Sequence, residues 1–265
     1  MIFRREIGWL VAKAYVASGR RASICRCCRM DGLVVPVLFH GPTPRQLDAI
    51  LGELTGLVGA DAVELSFDDG RREVVDCIPV LEKYGVPAVF FISPGEILRG
   101  YNWAESPVAR QCGFARLCRL PAQERDAELA AAGIKGTSGG LLGVDDIRSM
   151  ARHPLVEFGN HTWSHMSCSS RPVEEALGEI ERAQVQIEEW TGRRPSKFSY
   201  PFGHDSEELD RAIRSRGLVS YSLRPGLAPC RGDGRFRNMA YEGMSVAENV
   251  GRLLTAWPNV RRMPS

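Results

Sequence analysis

The sequence predicts an α/β protein built as a distorted (β/α) barrel of about seven parallel strands. Short β-branched runs alternate with amphipathic helical stretches almost from end to end, the pattern of parallel strands joined by crossover helices. The polar residues of greatest chemical interest also stand directly after those runs: His40, Asp68 with Asp69, His161 and the turn at 200–203. In a parallel sheet or barrel the carboxyl ends of the strands share one edge, where catalytic groups gather whichever loops carry them.

Taken in order, residues 1–32 read as an N-terminal helical extension and 33–265 as one domain. Strands are expected over 34–39, 62–67, 87–92, 155–158, 197–200, 218–223 and 236–240. An insert at 99–143 separates the third strand from the fourth; it contains Trp103, Phe114, a helix led by Pro121 and the glycine-rich stretch from Gly136 to Gly140. That stretch lacks a phosphate-loop lysine and joins no strand to a helix, so it reads as a flexible loop. In the second half, Val173, Leu177, Ile180, Ile187 and Trp190 recur every three or four residues and form one apolar helix face. Gly217 fits a helix C-terminal cap, and Ser245 with Glu248 forms a capping box opening the last helix.

The bulk numbers narrow the function. With 265 residues, 44% hydrophobic and 25% charged, the chain can bury a substantial core. A net charge of +2 with mixed signs provides no basic stripe for a phosphate backbone, so nucleic acid is not expected as a partner. Lys13 and Arg20 interrupt the N-terminal apolar stretch, which leaves no run of the roughly 18 to 20 residues that spans a bilayer. The stretch from Ile7 to Ala17 follows Arg4 and Arg5 in the manner of a signal peptide, but it is short, carries a charge and has no clean cleavage site. A cytoplasmic location is the expectation, with peripheral contact at the inner membrane face as the alternative. Eight dispersed cysteines in a chain of this length suit reduced thiols, and the Cys25–Cys28 pair lacks the second pair of a zinc finger.

The chemistry rests on three segments. His161 and His165 are four apart, so on a helical turn both imidazoles would project from one side and converge on an ion. Asp68 and Asp69 are adjacent carboxylates at a strand end, which a cation would relieve of their repulsion. One Asp with two His supplies the three-ligand, open-position arrangement of catalytic zinc, and leaves the other Asp free to act as general base. Of the remaining histidines, His40, His153 and His204, His40 is best placed by its strand-end position to serve as general acid.

Ser66-Phe67-Asp68-Asp69-Gly70, His161-Thr162-Trp163-Ser164-His165 and Phe198-Ser199-Tyr200-Pro201-Phe202-Gly203 resemble, in order and spacing, the first three motifs of the polysaccharide deacetylase family, the nodulation-protein-B-type domain of carbohydrate esterase family four. Leu38-Phe39-His40 resembles a segment of its poly-N-acetylglucosamine deacetylase branch. The resemblance implies a hydrolase that removes N-acetyl or related N-acyl groups from amino sugars in a polysaccharide, a lipid-linked precursor or a small glycoside. It implies a divalent ion, zinc first and cobalt or nickel next, on Asp69, His161 and His165, with Asp68 as the catalytic base. It also implies that Tyr200, Pro201 and Phe202 form a wall of the substrate groove, with the Phe202 backbone amide a candidate oxyanion donor. Trp163, between the two histidines, is a candidate for stacking on a sugar ring.

Two departures stand out. Ser199 occupies the place of an arginine that orients the base in the family, and no histidine follows residue 204 to match the family's late acid motif. Two other readings therefore stay open: a non-catalytic metal-containing carbohydrate-binding domain, and a deformylase or deacetylase of a non-sugar natural product.

Overall fold

Seven parallel strands form because most of their residues are buried on both faces, as parallel packing requires, with half-buried positions at Glu157, Lys197, Val219 and Met239. The computed structural model describes residues 32–134, 140–228, 232, 234 and 236–255. The expected N-terminal extension through residue 31, the Cys25–Cys28 pair and most of the stretch from Gly136 to Gly140 lie outside the described residues.

Strand β1 (Val35–Phe39) leads through helix α1 (Pro44–Val58) to β2 (Val63–Phe67), and α2 (Ile78–Tyr84) leads on to β3 (Ala88–Ile92). Helix α3 (Pro94–Arg99) opens the insert, which continues as α4 (Pro107–Gln111), α5 (Phe114–Leu117) and α6 (Ala122–Ala131), the last following Pro121 as expected. Helix α7 (Val144–Met150) returns the chain to β4 (Val156–Asn160). The long amphipathic α8 (Val173–Thr191) precedes β5 (Lys197–Ser199), α9 (Glu207–Arg214) precedes β6 (Val219–Tyr221), and β7 (Asn238–Met239) precedes α10 (Val246–Thr255). Gly217, at φ +78°, turns the chain from α9 into β6, and the Ser245–Glu248 capping box opens α10.

The sheet order is β6-β5-β4-β3-β2-β1-β7, with every pairing parallel. It curls into a half-barrel whose two edge strands are joined outside the ladder: Ser222 N donates to Gly234 O at 3.0 Å and Arg237 N to Arg224 O at 2.9 Å.

The period of two along each strand sorts side chains to two faces. Phe39, Phe67, Phe90 and Phe158 stack from strand to strand on the outer face, with centroids 4.7 to 6.0 Å apart, and are covered by apolar residues of the surrounding helices. The opposite parity fills the interior. There Tyr221 Oη donates to Glu64 Oε1 at 2.7 Å across the barrel, and the Phe91 ring lies 5.3 Å from that of Tyr221. Asp68 continues the inward parity of Glu64 and Ser66, so strand geometry alone aims it inward.

Candidate active site

At the carboxyl ends of β1, β2, β4 and β5 a cleft of about 590 Å³ gathers His40, Asp68, Asp69, His161, His165 and Phe202. Its outer walls come from the insert through Asn102, Glu105 and Phe114, and from Tyr241 and Glu242 after β7. Arg71, which donates to Glu105 at 2.5 Å, ties the turn after Asp69 to the insert.

The backbone at this edge is unusual. The non-glycine residues with positive φ among those described are Asp69 (+72°), Thr162 (+62°), His165 (+54°) and Phe202 (+61°), all within the three motif segments. Each such conformation costs on the order of 1–3 kcal/mol and persists only where its surroundings enforce it. The segment from His161 to His165 is therefore an irregular loop and not the expected helical turn. Convergence of the imidazoles comes from the left-handed bends at Thr162 and His165.

Those bends also turn Trp163 away from the cleft. Its indole lies against the Arg182 guanidinium, 3.7 Å from the ring centroid, in a separate cavity with Arg99 and Glu179. The expected sugar contact by Trp163 is thus corrected: it stands behind the histidine loop. Pro201 is buried without lining the cleft, whereas Tyr200 and Phe202 both line it, the Tyr200 hydroxyl reaching Asp210 of α9 at 3.3 Å.

Asp69, His161 and His165 bring one donor atom each within 4.8 Å of one another. His165 Nε2 lies 3.0 Å and His161 Nε2 3.4 Å from Asp69 Oδ1. Tetrahedral zinc with bonds of about 2.0–2.1 Å requires ligand separations near 3.3 Å, which the two contacts to Asp69 approach, so this donor set could hold a divalent ion. His161 Nδ1 lies 2.8 Å from the Ser199 carbonyl, which fixes the ring with Nε2 toward Asp69. Burial pushes both imidazoles down. At His161 the charge of Asp68 and the hydrogen bond to Asp69 outweigh it and the pKa is raised, whereas at His165 burial wins and the ring favours the neutral form that binds metal. Burial likewise opposes ionisation of Asp69, but His165 and His161 overcome it and hold its carboxyl well below the usual range.

Asp68 is held by groups the sequence did not reveal. Arg237 donates to both its oxygens, Nη1 to Oδ1 at 2.7 Å and Nη2 to Oδ2 at 2.9 Å, and Ser199 Oγ donates to Oδ2 at 3.1 Å. Arg237 Nη2 also donates to Ser199 Oγ at 2.7 Å, closing a buried triangle. Burial pushes the Asp68 carboxyl up, but the charges of Arg237 and His161 more than offset this, so it stays below its ordinary value. The serine at the place of the expected arginine therefore does not leave the carboxylate loose. A charged residue inside a predicted buried strand, as Arg237 is in 236–240, was the available sign that a buried acid awaited it.

The three other histidines separate cleanly. His40 faces the cleft, with Nε2 3.9 Å from Asp69 Oδ2. His153 pairs with Glu82 at 3.0 Å, away from the cleft, and His204 is exposed with Nδ1 2.8 Å from Ser167 Oγ.

The chain is a seven-stranded (β/α) half-barrel that carries, at its carboxyl edge, an Asp-His-His cluster able to hold a metal ion and a second buried aspartate beside it. The sequence pattern of polysaccharide deacetylases matches residues 56–221, and the chain belongs to that family. No curated protein matches the chain. Among solved structures, the Streptococcus pyogenes deacetylase PplD, in complex with acetate, is similar at 13% identity and a TM-score of 0.58, over 83% of this chain and 98% of that one. IcaB from Ammonifex degensii is similar at 18% identity and a TM-score of 0.55, over 82% of this chain and 95% of its own. A de-N-acetylase from Aggregatibacter actinomycetemcomitans follows at 21% identity and a TM-score of 0.50, over 80% and 82%. At these identities the likeness is one of fold.

Proposed function

We propose that the chain is a metal-dependent hydrolase that removes N-acetyl groups from amino sugars. The observation that carries the reading is the juxtaposition of Asp68, locked ionised by Arg237, with the Asp69-His161-His165 donor set at the floor of one cleft. A divalent ion held by those three residues supplies Lewis acidity toward an amide carbonyl and lowers the pKa of water toward about 7. Asp68 accepts the proton of the attacking water, because its carboxylate is ionised and fixed beside the donor set. His40 is the proposed donor of a proton to the departing amine, since it alone of the other described histidines faces the cleft. Phe202 and Phe114 offer apolar faces to a sugar ring.

The insert walls one side of the cleft, which favours a short glycan or glycoside over a polymer threading through. Apart from the histidines, the basic side chain lining it is Arg71, already paired with Glu105, which favours an uncharged sugar over a phosphate-bearing precursor. The cytoplasmic placement expected from the sequence stands as part of the proposal, checked by fractionating cells that produce the full chain.

Acetate release from N-acetylglucosamine oligosaccharides is expected, abolished by a chelator and restored by zinc or cobalt. Asp68→Asn is expected to keep the ion and lower turnover about 10²–10⁴-fold, while His161→Ala loses both. An Asp68→Asn protein as active as the parent overturns the reading, as does better turnover on a sugar nucleotide than on the neutral oligosaccharide for the substrate class.

A further inference from the structure

Trp103 and Arg125 belong to the insert, line no part of the cleft and take no step in the proposed reaction. Both are nonetheless fully buried. Each ends on the backbone of the histidine loop: Trp103 Nε1 donates to the His165 carbonyl at 3.2 Å, and Arg125 Nη2 donates to the Ser164 carbonyl at 3.1 Å.

The two are bound to one another and to the rest of the insert. The Arg125 guanidinium lies 4.6 Å from the Trp103 ring centroid, and Arg125 Nε and Nη2 reach Asp126 Oδ1 at 3.1 and 3.0 Å. Asp126 in turn pairs with Arg99, which donates to Glu96 Oε1 at 2.7 Å, while Glu96 Oε2 accepts from Trp103 N at 2.8 Å. The network is closed on itself, so both donors reach the loop from a rigid base.

The two metal-binding histidines need this support unequally. His161 is held by the barrel: its N–H donates to Ile92 O at 3.0 Å, its carbonyl accepts from Ser93 Oγ at 2.7 Å, and its Nδ1 faces the Ser199 carbonyl. His165 sits in the left-handed region, and its buried Nδ1 has no hydrogen-bond partner among the described residues. Orienting a metal-bound imidazole through its second nitrogen is the usual device, and here it serves only His161. Apart from the contact of its Nε2 with Asp69, the orientation of His165 comes from its backbone and from the rings of Phe202 and His161, whose centroids lie 4.7 and 4.9 Å from its own.

We infer that Trp103 and Arg125 are positioning residues for His165, so that the insert is a clamp on the metal-binding loop as well as a wall of the cleft. The inference rests on the metal centre proposed above. It predicts that the clamp acts on ion affinity and ligand geometry even when no substrate is present.

The test is titration of the full chain, freed of metal by chelation, with cobalt(II), read by its visible absorption. Trp103→Phe removes the donor and keeps the aromatic packing; Arg125→Gln removes the cation and one donor arm. Each is expected to weaken cobalt binding about 10–100-fold and to alter the absorption band, with Arg125→Lys recovering part of the loss. Thermal unfolding of the metal-free Trp103→Phe protein is expected to stay cooperative at a somewhat lower midpoint, as a smaller buried ring requires, so the altered cobalt band of the folded variant separates positioning from folding. Should Arg125→Gln fail to fold, Trp103→Phe decides. Parent-like affinity and spectrum in a folded Trp103→Phe protein overturn the clamp. A parent that binds no cobalt, or binds it equally after His161→Ala, overturns the metal centre and the clamp with it.

Discussion

At the scale of single residues, the contact between Asp68 and Arg237 sets how readily the proposed base takes up a proton. The Asp68 carboxyl titrates below its ordinary value of 3.8 because Arg237 and His161 together outweigh burial. Its folded pKa is depressed, so its contribution to stability is complete above 3.8 and is lost as acid protonates the folded carboxylate. Arg237→Met leaves burial unopposed by that cation, and the pKa of Asp68 rises. The acid limb of the kcat/KM profile is then expected to move to higher pH, and stability to fall by about 3–5 kcal/mol, as when one partner of a buried pair is removed. A pH–rate profile and denaturant unfolding check the two effects; an unmoved acid limb in a folded variant sinks the assignment of Asp68 as base.

At the scale of elements, the site depends on how closely α3 and β3 approach the histidine loop. Gly95, in α3, donates its N–H to Trp163 O at 2.8 Å, and a Cβ there would lie 2.6 Å from that oxygen and 2.7 Å from the indole nitrogen. Gly95→Ala is expected to displace the loop, costing about 1–3 kcal/mol by denaturant unfolding and weakening cobalt binding together. Gly159→Ala would drive a methyl to 2.4 Å from the Phe91 ring inside the barrel, and a stability loss of similar size is expected with less effect on the ion.

The elements were also where sequence reading succeeded and failed most clearly. All seven strands were legible, because the first six are short, largely buried runs that end beside a polar residue, and the seventh, shorter than expected, falls within 236–240. The donor set was legible for the same reason, since each member follows a strand or its loop within a few residues. Arg237 was legible only as a charge within an expected buried strand; which acid it meets was not, because its partner lies 169 positions away. Trp163 was misread because spacing alone cannot reveal that Thr162 and His165 bend in the left-handed sense, and that bend decides which face the residue between them takes. Trp103 was legible only as a member of the insert and Arg125 not at all, because their contacts to the histidine loop are to backbone, which leaves no trace in side-chain pattern.

At the scale of the whole molecule, the donors join segments distant in the chain: Asp69 follows β2, and His161 and His165 follow β4, with the insert between them. An ion held by all three links these halves in the folded state alone. Stabilisation by a ligand at about 100 times its Kd amounts to about 2.7 kcal/mol. For a chain of this size that corresponds to a Tm rise of about 5–10 °C on adding zinc to metal-free protein. Differential scanning fluorimetry with and without chelator reads it, and His161→Ala is expected to show no shift.

The left-handed conformations at Asp69, Thr162, His165 and Phe202 bear on how this chain would respond to artificial evolution. Glycine or asparagine at position 202 would relax the backbone, yet it would strip the ring that lines the cleft and steadies His165. A library screened for heat resistance alone is therefore steered toward variants that survive heating and no longer turn over substrate. Only a screen that scores survival and acetate release in the same clone keeps both properties in view.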